Sequence, residues 1–127
     1  MALEREERLT QLAAFEEDIA NAVRRYNKGE IDSIGLAPGG EEVDLSSNAD
    51  LLVRSHGGPE RVFTVISVSA VNRLIRGQPA GDSPLDDFYA AGGPLIIVRQ
   101  MSADVIARGV LKHLRMERAL ECGREAV

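Results

Sequence analysis

The sequence predicts a single α+β domain: a four- to five-stranded, mostly antiparallel sheet packed by long N- and C-terminal helices. Three observations carry this reading. Apolar residues recur at spacings of three and four near both ends of the chain. In the middle they alternate or run together in short stretches rich in Val, Ile and Leu. Glycine, proline and capping residues separate nearly every stretch from the next. The predicted order is α-β-β-β-β-α-α-β-α over residues 1–127, with residues 1–8 and 119–127 expected to fray.

The first helix is written by Leu9, Leu12, Phe15, Ile19, Val23 and Tyr26, which fall on one face. Glu6, Glu7, Glu17, Asp18, Arg24 and Arg25 lie on the other side. Asn27-Lys28-Gly29 ends it, with Gly29 free to take the left-handed conformation. A helix of about 25 residues exceeds the usual length. Its stripe must therefore cover the domain's own sheet or a second subunit. Leu9, Leu12, Phe15, Ile19 and Val23 are the candidate self-association residues.

The period then changes. Ile34 and Leu36, then Val43 and Leu45, alternate around Pro38-Gly39-Gly40 and read as a hairpin. Ser46-Ser47-Asn48 leads into Leu51-Leu52-Val53, and His56-Gly57-Gly58-Pro59 turns the chain into Val62-Phe63-Thr64-Val65-Ile66. That last run is apolar on both faces except at Thr64, which predicts the central, doubly covered strand.

Ser67 or Ser69 caps a short helix carrying Val71, Leu74 and Ile75 and closed by Gly77. Asp82-Ser83-Pro84 starts another, with Asp86 and Asp87 beside its positive end. Pro94 opens Leu95-Ile96-Ile97-Val98, a run read as buried on both sides and able to join the sheet in parallel through a crossover. Ser102 caps the final helix, which extends to about Leu120 with Ile106, Ala107, Val110, Leu111 and Leu114 as its apolar face.

Composition narrows the function. A length of 127 residues builds one real core. Hydrophobic residues at 44% and charged residues at 28% leave no case for wholesale disorder. A net charge of −5 argues against non-specific grip on nucleic acid or an anionic membrane. No apolar run approaches the ~20 residues a membrane helix needs, and the opening MALEREER has neither the basic start nor the apolar stretch of a signal peptide. One cysteine, Cys122, permits no intrachain disulfide. The cytoplasm is the expected compartment.

Chemical signals are sparse. The glycine-rich spots Ala37-Pro38-Gly39-Gly40 and His56-Gly57-Gly58-Pro59 lack the spacing of a phosphate-binding loop, and tight turns need glycine anyway. His113 and Cys122 are nine apart without a second ligand pair, so no metal and no cofactor is expected. Glu41, Glu42 and Asp44 decorate the solvent side of the hairpin, and no serine sits in a nucleophile motif. The phrase Arg25-Tyr26-Asn27-Lys28-Gly29-Glu30-Ile31-Asp32 resembles the first-helix exit of cone-shaped domains of the nuclear-transport-factor-2-like type. Those folds add two helices before their sheet, whereas this chain turns straight into strands, and no function is carried over.

Three functional readings follow. The first is a small non-enzymatic interaction or regulatory protein: an adaptor, inhibitor, immunity-type protein or assembly subunit. It would act through charged helix faces, with Arg108, Lys112, Arg115 and Arg118 as a basic stripe for a protein partner of acidic surface, and as a possible homodimer. The second is an anion-binding domain or compact enzyme built on Arg54, His56 and Arg61, where an imidazole between two guanidiniums would hold a negative group. The third, weakest, is a nucleic-acid regulator using the last helix. Five aromatic residues give no stacking platform for single strands.

Overall fold

The computed structural model describes residues 2–37, 47–75 and 93–125, with the backbone alone described for 2–5, 74, 75 and 122–125. The apolar stripe near the start becomes α1 (Ala2–Tyr26), and its exit is closed by one side chain. Asn27 Oδ1 accepts the Ile31 N–H at 3.1 Å while its Nδ2 donates to the Ile31 carbonyl at 2.9 Å. Between them Gly29 adopts φ +91°, where a Cβ would be strained.

Three antiparallel neighbours follow: β1 (Ile31–Leu36), β2 (Asn48–Ser55) and β3 (Glu60–Ser67). Gly57, with φ +74°, and the Gly58 N–H donated to the Ser55 carbonyl at 3.1 Å make the β2–β3 connection a tight turn. Ser67, itself buried, accepts the Ala70 N–H at 3.2 Å and caps α2 (Val68–Ile75), as its place before an apolar helical run predicts. β4 (Leu95–Val98) then joins β3 in parallel, so the sheet is mixed, in the order β1-β2-β3-β4. Ser102 caps α3 (Ala103–Glu125) through the Val105 N–H.

Several expectations are corrected. Ile34 and Leu36 pair with Val53 and Leu51 of β2. The alternating row Ala49, Leu51, Val53 gives β1 a fully buried partner face. Val43 and Leu45, the loop Gly77–Ser83 and the helix starting at Asp82 lie outside the described residues. The run Leu95–Val98 is covered on one side only: Ile96 and Val98 are buried while Ile97 is 53% exposed. Val62 on β3 is likewise exposed, whereas Ile66 on the same outward row is buried, so β3 is covered on both sides only toward its end. An apolar run of four cannot by itself tell one covered face from two. The last helix continues to Glu125, past its expected end near Leu120.

The core lies on the face bearing Leu51, Val53, Phe63, Val65, Ile96 and Val98. Ile19, Ala22 and Val23 of α1 and Ile106, Val110, Leu111 and Leu114 of α3 close over it. Gly109 explains how α3 comes so near: a Cβ there would stand 2.9 Å from Ile96 Cγ2. At the far edge, the Leu36 N–H points away from β2 and donates to Glu16 Oε2 of α1 at 2.7 Å. That carboxylate occupies the edge of β1, where an open donor would invite another strand.

Candidate functional site

Where the β2–β3 turn meets the last turns of α3, an open groove of about 350 Å³ is lined by His56, Arg61, Glu117, Arg118 and Glu121, with Glu30 at its side. Arg61 occupies the inward row of β3 just outside Phe63. There it meets Glu117, a carboxylate standing where the apolar stripe of α3 would otherwise continue. The pair is bidentate, Nη1 to Oε2 at 3.0 Å and Nη2 to Oε1 at 2.8 Å. The same guanidinium lies over the Phe63 ring, 5.1 Å from its centroid. His113 completes the cluster, edge-on to Phe63 at 5.4 Å with its Nε2 3.6 Å from Glu117. The Arg61 hydrogen bonds hold the Glu117 carboxyl below its ordinary range, and Glu117 in turn raises the Arg61 guanidinium.

The sequence-level trio separates in the structure. His56 and Arg61 line this groove, but Arg54 does not. Arg54 pairs across the turn with Glu60 at 3.8 Å, whereas Arg61 is opposite Val53, so the two arginines face opposite sides of the sheet. The carboxylate near the imidazole is Asp32 of β1, whose Oδ1 lies 3.1 Å from His56 Nδ1. That ring is 77% exposed, and water screens the contact. Asp50 accepts the Thr64 hydroxyl at 2.9 Å.

The basic stripe of α3 is also divided. Arg108 is held by Asp104 at 2.9 Å, and Arg115 donates to Glu30 and to the Tyr26 carbonyl. Glu30 gains further from the Lys28 N–H, and this anchoring lowers its pKa to about 2, with Arg115 the largest cause. Asp104 is lowered too, first by the Tyr26 hydroxyl donated at 2.6 Å and then by Arg108 and Arg25. These bonds tie the exit of α1 to α3. Lys112 and Arg118 are the members of the stripe without an ion pair among the described residues.

The candidate self-association residues divide in the same way. Ile19 and Val23 are buried in the chain's own core, and Phe15 packs against it. Leu12 is half-buried and Leu9 is 42% exposed. On α3 the counterpart is Met116 and Leu120, 57% and 64% exposed, a pair that the periodicity of the apolar face does not single out.

Among the described residues no group of His, Cys, Asp and Glu converges as a metal site would, and no helix is long and apolar enough to cross a membrane. No protein-family model, curated protein or solved structure matches the chain.

Proposed function

We propose that this chain is a small, non-enzymatic protein-interaction module whose docking elements are the free halves of its two long helices. The observation that carries the reading is where burial stops. No described side chain of α1 before Ile19 is fully buried, and none on α3 after Leu114. Helical stability in water comes mainly from packing an apolar face, and short unsupported helical pieces are marginal. Two such pieces bearing Leu9, Met116 and Leu120 at their exposed ends fit a partner surface better than bulk solvent.

The groove supports the same conclusion. It is open and polar, its central arginine is paired with Glu117, and no buried side-chain polar atom among the described residues lacks a partner. A small-molecule site usually presents an enclosed apolar cavity with unpaired polar groups converging on it. The single cysteine fits a cytoplasmic setting.

Native mass spectrometry on the chain withdrawn gently from its source cells tests the proposal. A stoichiometric protein mass, of this chain or another, is the expected result. A bare chain carrying only an extra small-molecule mass overturns it and directs attention to the groove at His56.

A further inference from the structure

We infer that the partner of the free helix halves is a second copy of this chain, with the free half of α1 laid antiparallel on the free half of α3. This deepens the interaction reading and rests on it. Arg108, Lys112, Met116 and Leu120 follow one another at intervals of four and form one ridge along α3. The cations sit nearer the core and the apolar pair nearer the free end. On α1 the residues Glu17, Ala13 and Leu9 follow the same order: a charge near the core, a small residue, then a leucine toward the free end. Both rows from charge to leucine span eight residues, about 12 Å at the helical rise.

Antiparallel alignment sets Leu9 against Leu120, Ala13 against Met116, and Glu17 against Lys112. Alanine leaves room for the longer methionine, the small-against-large match by which helix surfaces interlock. Lys112 is the cation of that row available for a partner, since Arg108 is held by Asp104. Glu17 likewise makes no ion pair among the described residues. Within one chain Leu9, Ala13, Glu17, Lys112, Met116 and Leu120 are all exposed. A two-fold axis brings each row onto the other's mate and repeats the contact, which closes the pair instead of propagating a fibre.

The test is the solution mass of the full chain and of charge-exchanged variants. An interface of two short helix contacts is small, so measurement extends to about 100 μM chain. The expected species has twice the 13.8 kDa chain mass. Leu9→Glu and Leu120→Lys each place a charge in the apolar match and weaken pairing by roughly tenfold or more. Mixing those two variants restores a heterodimer, because the new glutamate faces the new lysine in one contact and the other contact is native. Glu17→Lys or Lys112→Glu alone weakens the pair, and the two combined in one chain recover it. All these positions are exposed, and unchanged circular dichroism separates lost pairing from lost folding.

A monomer at every concentration overturns the inference, as does a mixture of Leu9→Glu and Leu120→Lys that stays monomeric, or a mass that grows without closing. A monomer that still holds a different protein, and loses it on Leu9→Glu or Leu120→Lys, overturns self-pairing alone and leaves the interaction reading standing. A monomer holding no protein overturns both.

Discussion

The two halves of α1 share a backbone conformation and differ in what surrounds them, and α3 repeats the contrast in reverse. From Ile19 to Tyr26, and from Ile106 to Leu114, the stripe faces the sheet and its large apolar residues are mostly buried. From Glu6 to Ala14, and from Arg115 to Glu121, no described side chain is. The boundary is marked on both helices by polar anchors rather than by a helix break. Glu16 holds the Leu36 N–H at the edge of β1, Arg115 reaches Glu30 and the Tyr26 carbonyl, and Glu117 takes Arg61. Helical periodicity therefore says where a helix can form, while the length of the sheet decides where burial ends.

The sharpest way to break the comparison is to truncate one side chain on each side of the boundary in α3. Ile106→Ala removes a fully buried side chain, and the transfer and cavity terms together should cost about 3 kcal/mol. Met116→Ala, nearly three turns on, should change stability by no more than about 0.5 kcal/mol under conditions where the chain is monomeric. Denaturant midpoints at constant m-value measure both. Equal effects would show that the free half of α3 is stabilised by something within the chain.

A second substitution probes the boundary itself. Arg61→Ala strips Glu117 of two hydrogen bonds and Phe63 of its cation, and should cost about 1–3 kcal/mol. A double-mutant cycle with Glu117→Gln isolates the pair, and a coupling near zero would reduce it to a solvated surface contact. Slightly smaller is the expected effect of Gly109→Ala. Helix propensity gains about 1 kcal/mol from this change, but the new Cβ meets Ile96 Cγ2 at 2.9 Å on a stiff, β-branched side chain. Overpacking of that kind typically costs about 1–3 kcal/mol, so a net loss near 1 kcal/mol is expected. A stabilised variant would mean that α3 can lift from β4 at no cost.

Much of this arrangement is legible in the sequence wherever local chemistry dictates it. The stripes of both long helices, the caps at Ser67 and Ser102, the exit at Gly29 and the turn at Gly57 all follow from spacing or dihedral demand. The site is less legible, because its pairs join residues far apart in the chain. Tyr26 and Asp104 are 78 positions apart, and Arg61 and Glu117 are 56 apart. One signal was present. Arg61 opens an inward strand row that continues with Phe63 and Val65, and Glu117 interrupts an apolar helix stripe. Two opposite charges in two core-facing rows satisfy each other most cheaply by meeting. By contrast, separating Arg54 from Arg61 requires the register of the turn, which sets Arg54 opposite Glu60 and reverses the face of the next residue. Nothing local marks Asp32 as the neighbour of His56.

The contact between Arg115 and Glu30 gives the cleanest test of how the boundary is held, because pH switches it. Glu30 is ordinarily a carboxyl of pKa 4.5 and is lowered to about 2 in the folded chain, chiefly by Arg115. Between those values the unfolded chain binds the proton more readily than the folded one, so stability rises with pH through that window. The contribution is fully present above pH 4.5 and is lost as pH falls through about 2. Arg115 is partly exposed, and after solvent screening its share is on the order of 1 kcal/mol. Arg115→Ala should therefore lower stability by about that amount at pH 6, measured by urea midpoint, with the gap to the unaltered chain narrowing below pH 4.5. A small residual gap should survive in acid, because the bond from Arg115 to the Tyr26 carbonyl involves no titrating acceptor. A gap that stays constant from pH 6 to about 2 would assign the whole effect to that carbonyl bond and to packing of the arginine stem. Of the two contacts Arg115 makes, the Tyr26 carbonyl would then be the one that holds the boundary of α3, with the Glu30 carboxylate a bystander.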